Sequence, residues 1–253
     1  MTYTGGTHDL WLRYWLAAAG IDPIRNVHTL VLPPPQMVAN MRQGTCEVFS
    51  VGEPWNGQLV NQQLGFTALT TGELWPNHPE KALTLRGEFV QRNPRAAEAI
   101  TAAVIEAQQW CDQAANLDEM CSVVCGDAWF ALPPADVLPR LRGEVDYGDG
   151  RRVTNRDTAM KFWRDHASYP FKSHDLWFLT ELVRWGILVE GRNTPALVDQ
   201  VNKEGIWRAA AARAGVAASD MPSGTSRGRE RFFDGKVFDP ANPTAYLRSL
   251  NTV

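Results

Sequence analysis

Two stretches, 5–20 (GGTHDLWLRYWLAAAG) and 51–81 (VGEPWNGQLVNQQLGFTALTTGELWPNHPEK), carry the strongest signals in this chain. The run Gly5–His8 predicts a backbone turn that leads into a helix, with Thr7 as the N-cap residue. The first-turn N–H groups of a helix have no partner within the helix and carry partial positive charge. Such a helix end is a ready site for a small anion.

Three residues in these stretches are candidates for anion contact. His8 and Lys81 supply hydrogen-bond donors, and Gly52 lets the backbone approach a ligand closely because glycine has no Cβ. Each also has a structural interpretation, since a helix-start histidine can be a surface residue and most loop lysines are simply solvated. The Gly-Gly-Thr sequence before His8 raises the weight of the binding interpretation.

Composition restricts the class of protein. With 253 residues, 44% of them hydrophobic, the chain is expected to be globular, as one large or two small domains. A net charge of −3 gives no basic surface field for nucleic acid. No apolar run reaches the roughly 18 residues of a membrane span, and residues 1–10 do not resemble a secretory signal. We expect that the first segment of a longer protein is missing.

Apolar periodicity predicts strands alternating with helices in residues 8–86, which is typical of an open α/β sheet. The chain beyond residue 94 is predicted to be mainly helical, ending in an irregular strap. The predicted strands are Val27–Leu32, Val48–Val51, Phe66–Thr70 and Ala82–Arg86, and the predicted helices are 8–19, 36–42, 56–63, 94–113, 117–124, 157–165, 173–185, 195–203 and 205–215.

The chain contains no recognisable catalytic motif. No G-x-S-x-G elbow, P-loop or G-x-G-x-x-G occurs. Of the four cysteines, Cys121 and Cys125 would share a helix face, without further ligands at zinc spacing, so buried thiols are expected. We predict no catalytic residue, no metal site, no cofactor and no enzyme; binding is favoured.

Several motifs in order resemble the nitrate/bicarbonate-binding proteins of ABC transporters, from about residue 5 to residue 250. The resemblance implies a type II periplasmic-binding-protein-like α/β fold. Its two lobes close over one anion, and the first lobe is incomplete here because the N-terminal part is missing. Residues 1–125 would form the ligand-clasping lobe, and residues 126–253 the returning, mainly helical part of the other. The motifs are GGTHDLWLRYWLAAAGI, LPPPQMVANM, VGEPWN, TTGELWPNHPEKAL, EAQQWCD, LPRLRGEVDYGDG and TSRGRERFFDGKVFDPANPTAYL.

The resemblance also implies roles for the three candidates. Nitrate-type members have a histidine, a backbone contact at glycine and a lysine at the positions of His8, Gly52 and Lys81. Bicarbonate-type members carry Gln- and Glu-like residues in place of the histidine and lysine. A pocket of donors suits an anion that only accepts hydrogen bonds, whereas bicarbonate also has an O–H to donate. Nitrate is therefore favoured, with nitrite as a further candidate.

The implied function is the solute-binding component of an ABC nitrate importer, which delivers the anion to permease and ATPase subunits. This form would be periplasmic or anchored to the inner membrane. The alternatives are a cytoplasmic nitrate sensor that controls an RNA-binding antiterminator, a bicarbonate receptor, and a domain associated with a transporter ATPase. No direct contact with nucleic acid is expected. Because contacts from the missing segment are absent, we expect the isolated chain to bind weakly or not at all.

Overall fold

A computed structural model describes residues 1–250 of the chain, and helices dominate that range. Across these residues the α-helices are α1 Thr7–Ala18, α2 Pro34–Arg42, α3 Trp55–Asn61, α4 Thr71–Leu74, α5 Gly87–Arg92, α6 Pro94–Cys111, α7 Leu117–Val124, α8 Pro134–Leu141, α9 Lys172–Arg184, α10 Pro195–Val201, α11 Glu204–Arg213 and α12 Pro243–Ser249.

The strands of the described residues form two short antiparallel ribbons. In the first, β1 (Glu144–Asp146) pairs with β2 (Arg152–Thr154). In the second, β3 (Glu230–Arg231) pairs with β4 (Val237–Phe238). Both ribbons connect sequence neighbours, so each is closed by a local turn.

The four predicted strands were wrong as strand assignments, since residues 1–250 show none of them in a ladder. A β-branched run favours an extended backbone, but a strand also needs a neighbouring strand. The run 27–32 pairs with a single residue, Met1, instead of with a strand. The Met1 ammonium donates to Leu30 O at 3.0 Å, and Leu32 N donates to Met1 O at 3.0 Å. Phe66–Thr70 instead lies against the first ribbon, where Thr67 N donates to Tyr147 O at 2.7 Å.

Most predicted helices are confirmed, with ends shifted by one or two residues. α1 ends as expected, with Gly20 in the left-handed region at φ +79°. The prediction of a helix over 157–165 was wrong. There the Asp112 carboxylate accepts the N–H groups of Phe162, Trp163 and Arg164 at 3.2, 2.7 and 2.6 Å, so these amides do not enter a helical ladder.

The chain folds as two compact units. The first unit comprises 1–76, 117–160 and Leu250, and the second comprises 77–116 and 161–249. The chain thus passes between the units more than once, rather than at one boundary. The assignment of 1–125 and 126–253 to two lobes concerns the whole two-lobed protein and remains a prediction.

Tryptophan and thiol packing mark the core of the first unit. Trp11 of α1 and Trp75 after α4 are both buried, and their rings meet edge to face at 5.9 Å. A smaller cluster contains Cys121, Cys125 and Val137. The two sulfurs lie 3.8 Å apart and the cysteines are free thiols, which confirms the expectation that both are buried.

The core of the second unit forms where α11 packs on α6. Small residues such as Ala210 let the helices approach, and aromatic rings close the cluster. Tyr169 meets Phe171 at 4.7 Å and Trp207 at 5.0 Å, both edge to face.

Over the described residues, every helix is too short or too polar to cross a lipid bilayer.

Candidate anion-binding site

The start of α1 is built from glycine and a buried carboxylate. Gly6, not Thr7, is the N-cap residue, with φ −78° and ψ 171°, so the expected Thr7 cap was wrong. Asp9, at the third helical position, accepts the Gly5 N–H through Oδ2 at 2.8 Å. Gly5 itself has φ +73°, a conformation that glycine adopts without strain.

Asp9 is fully buried and is neutralised within the helix. Its Oδ1 accepts from Arg13 Nε at 2.8 Å, one turn further along. Both carboxylate oxygens therefore already accept a hydrogen bond, one from the chain before the helix and one from the helix itself. The first turn of α1 is consequently held in place, and His8 with it.

The structure brings His8 and Gly52 together in the first unit. His8 is buried, and its Nε2 lies 4.0 Å from the point where a Cβ on Gly52 would stand. No other heavy atom of residues 1–250 comes within 4 Å of this Cβ position, apart from atoms of the residues that flank Gly52. The imidazole edge thus faces the open side of the Gly52 backbone.

The turn that carries Gly52 is braced from both sides. Before it, Val51 O accepts from Asn56 Nδ2 at 2.8 Å. After it, Glu53 Oε2 accepts the Gly57 N–H at 3.0 Å at the start of α3. Burial raises the pKa of the Glu53 carboxyl, while Arg140 and the Gly57 N–H act in the opposite direction.

Arg140, on α8, is a residue that sequence reasoning missed. Its Nη1 donates to Glu53 Oε1 at 2.7 Å, and its Nη2 donates to Asp146 O at 2.9 Å. The guanidinium therefore ties the Gly52 turn to β1. An arginine inside an amphipathic helix carries no local signal for this role, because its partner lies 87 residues away in sequence.

Lys81 belongs to the second unit, in an irregular segment between α4 and α5. Its side chain is 75% exposed, and Nζ lies 2.5 Å from Glu80 Oε2. The ammonium is therefore presented from a loop beside a carboxylate.

A charged cluster of the second unit contacts the backbone of Asn77, four residues before Lys81. Arg227 forms a fork with Glu230, and it also donates from Nη1 to Asn77 O at 2.6 Å. His174 Nε2 lies 3.5 Å from Glu230 Oε1. Burial lowers the pKa of His78 and of His174, and Arg227 lowers both further, so both imidazoles are neutral near pH 7.

Metal coordination is an alternative use of such side chains. In the part of the chain that the structure describes, no three His, Cys, Asp or Glu side chains are grouped so that they could hold a metal ion. The candidate residues can donate hydrogen bonds, from the His8 imidazole, from the backbone amides at Gly52 and from the Lys81 ammonium.

Comparison with known proteins adds a second line of evidence. Residues 1–125 match the model of the NMT1-like family. The nitrate/nitrite binding protein NrtA of Synechococcus elongatus is 56% identical over 250 residues, which are 99% of this chain and 56% of that protein. The bicarbonate-binding protein CmpA of the same organism is 41% identical over 257 residues, which are 98% of this chain and 57% of that protein.

A solved structure agrees over the whole chain. The periplasmic nitrate-binding protein NrtA from Synechocystis PCC 6803 is 52% identical to this chain, with a TM-score of 0.97. The match includes 100% of this chain and 66% of the NrtA chain. The fold class is therefore that of type II periplasmic binding proteins, as predicted.

Over nearly its whole length the chain is similar to NrtA and CmpA, which confirms the resemblance seen in its motifs. It spans little more than half the length of the curated relatives it matches.

Proposed function

We propose that this chain is the anion-binding part of the nitrate receptor of an ABC importer, with nitrite as a second ligand. The receptor holds the anion between the two lobes of the full-length protein and delivers it to permease and ATPase subunits at the membrane. It acts by binding, not by catalysis. Its place is the periplasm or the outer face of the inner membrane.

The observation that supports this most directly is the His8 imidazole facing the open side of Gly52. An anion placed there accepts from Nε2–H and from the backbone amides of the turn. In a site shielded from water, charge-assisted hydrogen bonds of this kind are roughly twice as strong as neutral ones. Lys81 is the third group of the proposal, and its ammonium compensates the charge of the anion.

The chemistry favours nitrate over bicarbonate. Nitrate is planar and only accepts hydrogen bonds, so donors alone satisfy it, whereas the O–H of bicarbonate needs an acceptor. The carboxylate nearest His8 in sequence, Asp9, already accepts from Gly5 and Arg13. The higher identity to NrtA than to CmpA points the same way. A bicarbonate receptor is therefore the second candidate.

Calorimetric titration of the full-length protein with nitrate, nitrite, bicarbonate and chloride tests this proposal. We expect one nitrate site that is at least tenfold tighter than the bicarbonate site, and competition between nitrate and nitrite. Tighter binding of bicarbonate, or no heat with nitrate, would overturn the proposal.

A further inference from the structure

We infer that Arg227 is a positioning residue for the segment that carries Lys81, and that it raises anion affinity without touching the anion. The inference rests on the proposed function, because it assumes that Lys81 contacts the ligand.

Arg227 uses its guanidinium to join two parts of the second unit. Nε donates to Glu230 Oε1 at 2.6 Å and Nη2 donates to Glu230 Oε2 at 2.9 Å, which fixes the plane of the guanidinium. The remaining arm, Nη1, donates to Asn77 O at 2.6 Å. A backbone carbonyl four residues before Lys81 is thus attached to a guanidinium that is itself clamped.

The clamp is anchored to regular structure. Glu230 lies in β3, opposite Phe238 of the same ribbon. The backbone of Arg227 is held as well, because its N–H donates to Ser173 Oγ on α9 at 3.1 Å. The guanidinium that donates to the Asn77 carbonyl is therefore itself fixed to a ribbon through Glu230, and its backbone is fixed to a helix through Ser173.

The Lys81 segment needs an outside support of this kind. Residues 77–81 contain neither helix nor strand, and Asn77 has φ +56°, a conformation that needs support in a residue other than glycine. Within the segment, His78 Nδ1 lies 2.9 Å from Pro79 O. Glu80 and Lys81 follow directly, so the contacts at Asn77 and His78 restrict where the Lys81 ammonium is presented.

Loss of the guanidinium should act through Lys81 and through no other ligand group. Without the Asn77 contact the segment samples more conformations, and nitrate must then select the competent fraction, which lowers the apparent affinity by that fraction. If Lys81 has been replaced, there is no ammonium left to misplace. The effect of Arg227 on nitrate binding should then vanish.

A double-mutant cycle in the full-length protein tests this, with the dissociation constant for nitrate measured by calorimetry. The variants are Arg227→Ala, Lys81→Met and the two combined. We expect Arg227→Ala to weaken binding about tenfold when Lys81 is present and less than twofold when it is Met. Arg227→Lys, which keeps the charge but not the fork, should fall between wild type and Arg227→Ala.

A matched control is Arg229→Ala, since the Arg229 side chain is 74% exposed and pairs with Asp239 at 2.8 Å in the same region. We expect it to leave nitrate affinity unchanged. Thermal melting of every variant tests whether it folds, and Glu230→Gln, which weakens the clamp from the other side, replaces Arg227→Ala should that variant not fold.

The outcomes separate the two hypotheses. If Lys81→Met alone leaves affinity within twofold, the proposed role of Lys81 fails, and the inference fails with it. If Lys81→Met weakens binding but Arg227→Ala has no effect, or has the same effect in both backgrounds, only the positioning inference fails.

Discussion

The two regions that carry the candidate ligand groups are built differently. In the first unit, His8 is buried on a regular helix, and the Gly52 turn beside it is tied to α8 and β1 through Arg140. In the second unit, Lys81 is 75% exposed on an irregular segment. The ligand groups of the first unit are held in place before any anion binds, whereas the second unit supplies a charge on a flexible side chain.

The difference predicts how each region contributes to binding. Groups already held in place lose little conformational freedom when an anion arrives, so their donors bind at low entropic cost. A lysine has four flexible carbons and loses up to about 2 kcal/mol of side-chain entropy when it is ordered. Substitutions in the first unit should therefore act through shape, and substitutions in the second through charge.

Reversing the charge of Lys81 should have the largest effect. Lys81→Glu removes a charge-assisted hydrogen bond and places a carboxylate near the anion, a loss of roughly 3 kcal/mol or about a hundredfold in the dissociation constant for nitrate. Calorimetry on the full-length protein measures it. Arg86→Glu, at an exposed side chain of the same irregular stretch between α4 and α5, is the control. A change within about twofold, roughly 0.4 kcal/mol, would show that Lys81 is wrongly placed.

Filling the open side of Gly52 should come next. In Gly52→Ala the new Cβ would lie 4.0 Å from His8 Nε2, an ordinary contact that the fold tolerates, yet it occupies the space proposed for the anion. We expect about tenfold weaker nitrate binding, roughly 1.4 kcal/mol, with the free energy of unfolding changed by no more than about 0.5 kcal/mol.

Gly72→Ala is the matched control in the first unit. Apart from its chain neighbours and the backbone of α4, its Cβ would meet only Thr70 Oγ1, at 3.9 Å, within residues 1–250. It should leave nitrate affinity unchanged and should not lower the free energy of unfolding, because alanine is the better helix former. If Gly52→Ala binds nitrate as tightly as wild type, the anion does not occupy the open side of Gly52, and the first region does not supply a preformed site.

The sequence predicts the first region better than the second for a physical reason. Turn residues and helical periodicity are local signals, and they lead to α1 and to the pair His8 and Gly52. The supports are not local. Arg140 reaches a carboxylate 87 residues away, and Arg227 reaches a carbonyl 150 residues away, so tertiary packing alone selects these partners.

The failed predictions have the same origin. Val27–Leu32 has the composition of a strand, but Val31 is 54% exposed and the run finds backbone partners only at Met1 among the bonds described. Helix 157–165 is replaced because Asp112, far away in sequence, takes its amides. Propensity predicts a local preference, and long-range hydrogen bonds decide whether it is realised.

Replacing the imidazole should have a smaller effect than filling the glycine site. Glutamine in His8→Gln keeps a neutral donor of similar reach, so we expect roughly fivefold weaker nitrate binding, about 1 kcal/mol. Because an amide also offers an acceptor, bicarbonate binding should fall less or rise. The ratio of the two dissociation constants, measured by calorimetry, is the readout. An equal loss for both anions would mean that His8 does not select between them.

Acid should affect stability through the second region. Burial holds the pKa of His78 and of His174 below the ordinary value of about 6.5. Below about pH 6.5 the unfolded chain therefore binds more protons at these histidines than the folded chain does. Their contribution to the free energy of unfolding is fully present above about pH 6.5, and it decreases as the pH drops towards their pKa values in the folded state. A single histidine contributes at most about 1.4 kcal/mol per pH unit in that window.

Chemical denaturation between pH 7 and pH 5 measures this, as the difference in slope between wild type and His174→Gln. The difference is needed because burial raises the pKa of Asp175 and of Glu181, and these groups act in the opposite direction. We expect a shallower acid decline in His174→Gln and no change in His28→Gln, a control at an exposed histidine of the first unit. Equal slopes in all three proteins would mean that the buried His174 does not make the second region sensitive to acid.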